Sequence, residues 1–171
     1  MTYITTLAIA YKTLASHLGK KNYILERASI DELFIDVTAF CNNLDTTIAS
    51  DPDGENDDKE GNQSTEMQFR STCQTDALQS LKETTICDES NLNPDEIRNE
   101  QALVMGCHIA RTVRRRIFDE LKFTLSAGIS TSKLVAKLGA SYGKPNNQAV
   151  IFPGAIAKVR VRFSQLQPVP N

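Results

Sequence analysis

The sequence predicts an α+β fold, a mostly antiparallel sheet with helices packed on one face, interrupted by a long acidic disordered insertion. Three observations predict it. Apolar residues recur at helical spacing in three segments, β-rich runs lie between those segments, and a region from about residue 42 to residue 100 shows neither pattern.

The elements follow in order. Thr5 to Leu18 places Leu7, Ala10, Tyr11, Leu14, Ala15 and Leu18 three and four apart, one apolar helix face that Gly19 ends. Two β-rich runs come next, Tyr23 to Ser29 and Leu33 to Thr38, with Asp31-Glu32 between them; this is the pattern of a hairpin with carboxylates at its tip. From about Asn42 to Asn99, stretches such as DPDGENDDKEGNQST hold too little apolar area to offset chain entropy, so disorder is expected, with at most a helical turn or two at Ala77 to Leu81. Ala102 to Leu121 then carries Leu103, Gly106, Ala110, Val113, Ile117 and Leu121 on one stripe, leaving Arg111, Arg114, Arg115 and Lys122 largely on a basic outer side. Phe123, Leu125, Ala127 and Ile129 alternate as a strand, Ser130 or Thr131 can cap a helix through Gly143, and Gln148 to Phe152 resumes strand character. The expected domains are 1–41, the insertion 42–100, 101–152, and a divergent tail 153–171 whose KVRVRFSQLQPVPN shows no hydrophobic period.

At 171 residues and 18.9 kDa the chain is in the range of one ordinary domain with a normal core. No run approaches the roughly 20 apolar residues of a membrane span, and the N-terminus lacks a signal-peptide pattern, so a soluble intracellular protein without a membrane partner is expected. Cys41, Cys73, Cys87 and Cys107 form no CxxC pair, which argues against a disulfide framework or a zinc site. His17 and His108 stand far apart and read as ordinary surface or core residues. The net charge of −2 conceals two opposite parts: Leu44 to Glu100 holds 15 acidic and four basic residues, and the rest of the chain six acidic and 15 basic. The acidic part would repel DNA and is expected to loop away from it.

The most informative string is ERASIDELFIDVT, Glu26 to Thr38. Adjacent carboxylates raise one another's pKa unless something positive neutralises them, and a divalent metal is a natural partner. Magnesium takes oxygen ligands and keeps waters and phosphates in its shell, so two or three protein carboxylates suffice. On its own such a pair reads first as a solvated turn, and the two flanking strand-like runs raise the weight of the metal reading without making it the leading one. The second string is FTLSAGISTSKLVAKLGASYGKPNNQAV, Phe123 to Val150. Its Ser126, Ala127 and Gly128 inside a strand predict close approach by another backbone or helix. Lys133, Lys137 and Lys144 surround the following helix, as phosphate contacts or as a solvated face; Lys144 differs in lying between Gly143 and Pro145.

SIDE with its ERA lead-in, LSAGIS, the KLVAKL helix and KPNNQ together resemble the palm of Y-family translesion DNA polymerases, and within that family are most similar to DNA polymerase eta. The likeness covers about Tyr11 to Phe40 and Gly106 to Phe152. It implies nucleotidyl transfer from deoxynucleoside triphosphates to a DNA primer, with two Mg²⁺ ions, in a nuclear monomer. It implies that Asp31 and Glu32 are catalytic and bind metal, and that Lys144 reaches the triphosphate. The family's leading strand, with an Asp that binds both metals, does not precede Tyr11, and no thumb or little finger follows Ala157. The resemblance therefore implies a fragment truncated at both ends and inactive in isolation. The other readings are a non-catalytic palm-like regulator, or weak DNA- or partner-binding protein, and a nuclease using Asp31, Glu32 and Asp36, although Asp36 would tend to face away from Asp31.

Overall fold

The computed structural model describes residues 2–19, 21–29, 31–46, 76–87, 100–142, 144–159 and 161. Along the chain come α1 (Thr2–Leu18), β1 (Ile24–Arg27), β2 (Leu33–Asp36), α2 (Thr38–Thr46), α3 (residues 76–82), β3 (Thr85–Ile86), α4 (Gln101–Leu121), β4 (Ala127–Ile129), α5 (Lys133–Tyr142), β5 (Gln148–Val150) and a 3-10 turn, Pro153–Ala155. The α+β class stands as expected. No described helix is long and apolar enough to cross a membrane.

Ala10, Leu14 and Leu18 are buried at the predicted spacing, which turns one face of α1 onto α4. Gly19 ends the helix at φ 76°, the left-handed region glycine enters without cost, and Asn22 donates back to the Leu18 carbonyl at 2.6 Å. β1 and β2 then form the antiparallel hairpin, with Ile24 opposite Asp36 and Arg27 opposite Leu33.

The second sheet departs from the antiparallel expectation. Its order is β3-β5-β4, and both pairings are parallel, Ala127 to Ile129 lying beside Gln148 to Val150 and Thr85-Ile86 beside Ala149-Val150. The reason is topological: α5 carries the chain back along the sheet between β4 and β5, and a helical crossover delivers the next strand in the same direction as the last. Gly128 makes this packing possible. A Cβ built there would lie 1.8 Å from the Ala136 carbonyl oxygen and 2.3 Å from the Ala140 nitrogen, so strand and helix touch backbone to backbone. The close approach expected at Ser126-Ala127-Gly128 is found at Gly128.

The helix start is corrected by one or two residues. Ser132, rather than Ser130 or Thr131, opens α5: its hydroxyl accepts from the Val135 N–H at 3.4 Å and its carbonyl from Ala136 at 2.9 Å. Ser130 instead donates to the Ile151 carbonyl at 2.9 Å, tying the end of β4 to the chain after β5.

The larger correction concerns the insertion. Residues 76–87 lie within it, yet Ala77, Ser80, Leu81, Thr84 and Cys87 are buried and Thr85-Ile86 supplies the edge strand β3. The helical turn expected at Ala77 to Leu81 is found as α3, and an acidic average concealed that Ala77 and Leu81 join the main apolar core. Beside it Glu83 pairs with Arg111 of α4 at 2.6 Å. The rest of the expected insertion beyond α2 lies outside the described residues. This packing also explains why α4 buries more than one stripe, with Val104, Met105, Cys107 and Ile109 buried beside Leu103, Val113 and Ile117. The tail likewise contributes: Ala155 and Val159 join Cys87, Val135, Ala149 and Ile151 in a second apolar cluster, while residues 162–171 lie outside the description.

Candidate functional site

The hairpin tip is folded around Ser29. Its hydroxyl donates to Asp31 Oδ1 at 2.7 Å and accepts from the Asp31 and Glu32 N–H groups at 3.3 and 3.1 Å. The Glu32 carbonyl accepts from Ala28 and Ser29 at 3.0 and 3.2 Å, closing the turn. Strand pairing thus ends at Arg27 and Leu33, and Asp31 and Glu32 project where the ladder stops.

α5 runs beside this tip. Lys137 Nζ meets Glu32 Oε2 at 2.9 Å, and Lys133 pairs with Glu26 while its ammonium stands 5.8 Å from the Phe34 ring centroid. Two adjacent turns of α5 therefore hold two levels of the hairpin, the i,i+4 spacing of the lysines matching residues on β1 and at the tip. All four partners are about half exposed, so these pairs fix orientation more than they add stability. The exposed Asp31 carboxyl is held below its ordinary value, first by the Ser29 hydroxyl, then by its own backbone N–H, with the charges of Lys144 and Lys137 acting in the same direction. Asp31 and Glu32 thus form one corner with Ser29 and Lys137. Sequence reading gave no role to Ser29 or Glu26; the signal available was the same-face spacing of Lys133 and Lys137 together with an acidic hairpin of matching length.

Asp36 is not part of this corner. It lies opposite Ile24 at the far end of β2, four strand residues or about 13 Å from the tip. Its Oδ1 accepts from Thr38 N–H at 2.9 Å at the start of α2, and the Thr38 side chain first, then that N–H, hold its carboxyl below the ordinary value. The third ligand imagined for a nuclease is engaged elsewhere.

Among the described residues no group of three or more His, Cys, Asp or Glu could hold a metal ion. Glu32 carries a lysine and Asp31 a serine hydroxyl, so the residues present do not fit a complete magnesium centre. They offer two carboxylates and two ammonium groups, a corner that can supply part of a metal set and meet phosphate.

A family model described as impB/mucB/samB matches residues 5–141. Among curated relatives, a DNA polymerase IV of Photorhabdus laumondii is 42% identical over 63 residues, 37% of this chain and 18% of that protein. The DNA polymerase IV of Colwellia psychrerythraea gives the same figures, and that of Salmonella arizonae is 46% identical over 48 residues, 28% of this chain and 14% of its own length. The matched part therefore spans under a fifth of these relatives. They are bacterial proteins from cells without a nucleus, which overturns the nuclear compartment expected from the resemblance.

Proposed function

Because the chain belongs to the impB/mucB/samB family, we propose that it is part of the palm of a Y-family translesion DNA polymerase, which transfers nucleotides during replication past damaged DNA. One observation carries the reading: the hairpin sets Asp31 and Glu32 side by side against Lys137 on α5, with the charge of Lys144 acting on Asp31. In this reading Asp31 and Glu32 are the carboxylates of the catalytic set, and Lys144 takes the triphosphate of the incoming nucleotide. DNA primer-template and deoxynucleoside triphosphates are the partners, and the protein acts as a monomer.

Magnesium is the cofactor this family reading calls for, and binding it requires a further carboxylate from outside the described residues, so the described set alone is inactive. The palm is assembled from 1–41 and 101–152, with residues 76–87 added to its core. The ERA lead-in and the KPNNQ ending support the narrower likeness to DNA polymerase eta.

The test uses the native protein captured with an antibody to residues 133–147, incubated with end-labelled primer-template, nucleotides and Mg²⁺. Extension of the primer is the expected result. Shortening would assign a nuclease, and inert DNA would leave the non-catalytic, palm-like regulator as the better account.

A further inference from the structure

We propose that Arg114 is the positioning residue of the 144–147 loop, fastening the loop and the start of β5 to α4 and so fixing where Lys144 stands. The proposal rests on the reading of Lys144 as a phosphate-binding group.

Arg114 lies on α4, outside the carboxylate corner, and its guanidinium reaches three acceptors. Nε donates to the Leu125 carbonyl at 2.7 Å, one terminal nitrogen to Gln148 Oε1 at 3.2 Å, and the other to Asn146 Oδ1 at 3.1 Å. A planar fork with fixed donor directions can satisfy three acceptors only in one relative arrangement, so the contacts set α4, the segment before β4 and the loop before β5 in register. The acceptors are neutral oxygens. This half-buried cation is used for geometry rather than for a charge pair.

The hold is passed on. Gln148 is fully buried, and its amide donates to Thr84 Oγ1 at 2.6 Å and to the Cys107 carbonyl at 3.0 Å, so the end of the loop is anchored to α4 and to the α3–β3 segment. Asn147 donates to Thr85 Oγ1 at 2.8 Å, and its carbonyl accepts from Ala127 N–H at 3.0 Å. Between these anchors Asn146 sits at φ 46°, a left-handed conformation that L-residues other than glycine adopt less readily and that persists where its surroundings hold it. The Arg114 bond to its side chain supplies such a hold two residues from Lys144.

The test is carbodiimide coupling of the 171-residue chain, which joins a lysine amine to a neighbouring carboxylate as an amide, followed by peptide mass mapping. Two products serve as readouts: Asp31–Lys144, and Glu32–Lys137 as an internal standard whose ion pair Arg114 does not touch. Arg114→Lys keeps the charge and loses the fork; the expected result is a several-fold fall in the Asp31–Lys144 yield relative to the standard. Asn146→Gly removes the exposed arm while tolerating the positive φ, and should give a smaller fall in the same ratio.

An unchanged ratio in Arg114→Lys would overturn the proposal. If both yields collapse together because that variant unfolds, the ratio in Asn146→Gly decides, and no change there overturns it. Absence of the Asp31–Lys144 product from the unsubstituted chain would instead reject the placement of Lys144 at the carboxylates, and with it the functional reading of this residue.

Discussion

Replacing Gly128 by alanine tests the packing that brings α5 to the hairpin. The added Cβ would meet the Ala136 oxygen at 1.8 Å, the Ala140 nitrogen at 2.3 Å and the Ala136 carbonyl carbon at 2.9 Å. These are backbone atoms, so no rotamer change relieves the clash, and α5 must lift from β4 by more than about an ångström to reach ordinary contact. Overpacking of well-packed sites costs about 1–3 kcal/mol, and a clash this deep belongs at or above the upper end. Gly139 and Gly106 provide the scale. At Gly139 the nearest atom to an added Cβ is Gly128 Cα at 3.4 Å, an acceptable contact, and alanine gains up to about 1 kcal/mol of helix propensity there. At Gly106 the obstacle is the Ile129 side chain, Cγ2 at 2.9 Å, which can move. Urea unfolding should rank Gly128→Ala far below Gly106→Ala, with Gly139→Ala near the unsubstituted chain. With a slope of about 2 kcal/mol per molar urea, a loss of 3 kcal/mol lowers the midpoint by about 1.5 M. A Gly128→Ala midpoint equal to that of Gly139→Ala would refute the contact.

Three further outcomes follow. Leu81→Ala should cost about 2–4 kcal/mol in the same unfolding experiment, because Leu81 is buried in the main core; a disordered insertion would give no effect. Burial holds the His108 imidazole below its ordinary value of 6.5, against the opposing pull of Asp76, with Arg111 and His17 adding to the depression. The unfolded chain therefore takes up a proton that the folded state refuses, so stability is full above pH 6.5 and falls as pH drops through the lower folded value. Unfolding free energies at pH 7.5 and 5.5 should differ less in His108→Gln than in the unsubstituted chain. Cys41, Cys87 and Cys107 are buried, and burial pushes the Cys107 thiol up to about 12, so these three should resist a thiol reagent until denaturant is added.

Much of the fold was legible because periodicity is a direct record of burial. The expected helix Ala102 to Leu121 is found as Gln101–Leu121, and the expected hairpin as Ile24–Arg27 with Leu33–Asp36. Legibility failed where a property had to be averaged or depended on distant segments. Composition over residues 42–100 left the helical turn at Ala77 to Leu81 legible but not the burial of Ala77, Leu81 and Cys87 or the strand at Thr85-Ile86, because a short core piece bordered by acidic residues barely moves the average of a long window. Strand direction in the second sheet was misjudged because pairing partners are fixed by the path of α5, which alternation within a strand does not encode. Of the site, the carboxylate pair at a hairpin tip and Lys144 near a structured turn could be read locally. The Lys137 pairing with Glu32, 105 residues apart, and the Arg114 fork could not, since both depend on how α4 and α5 cross the sheet.

The central claim is that the tip of this hairpin is the carboxylate part of a nucleotidyl-transfer site. Its most direct test is single-turnover primer extension by the native protein carrying Asp31→Asn. The predicted result is a loss of at least about a hundredfold in rate, typical of removing one charged group from such a site, with the urea midpoint unchanged because Asp31 is exposed. Extension at the full rate in that variant would contradict the account.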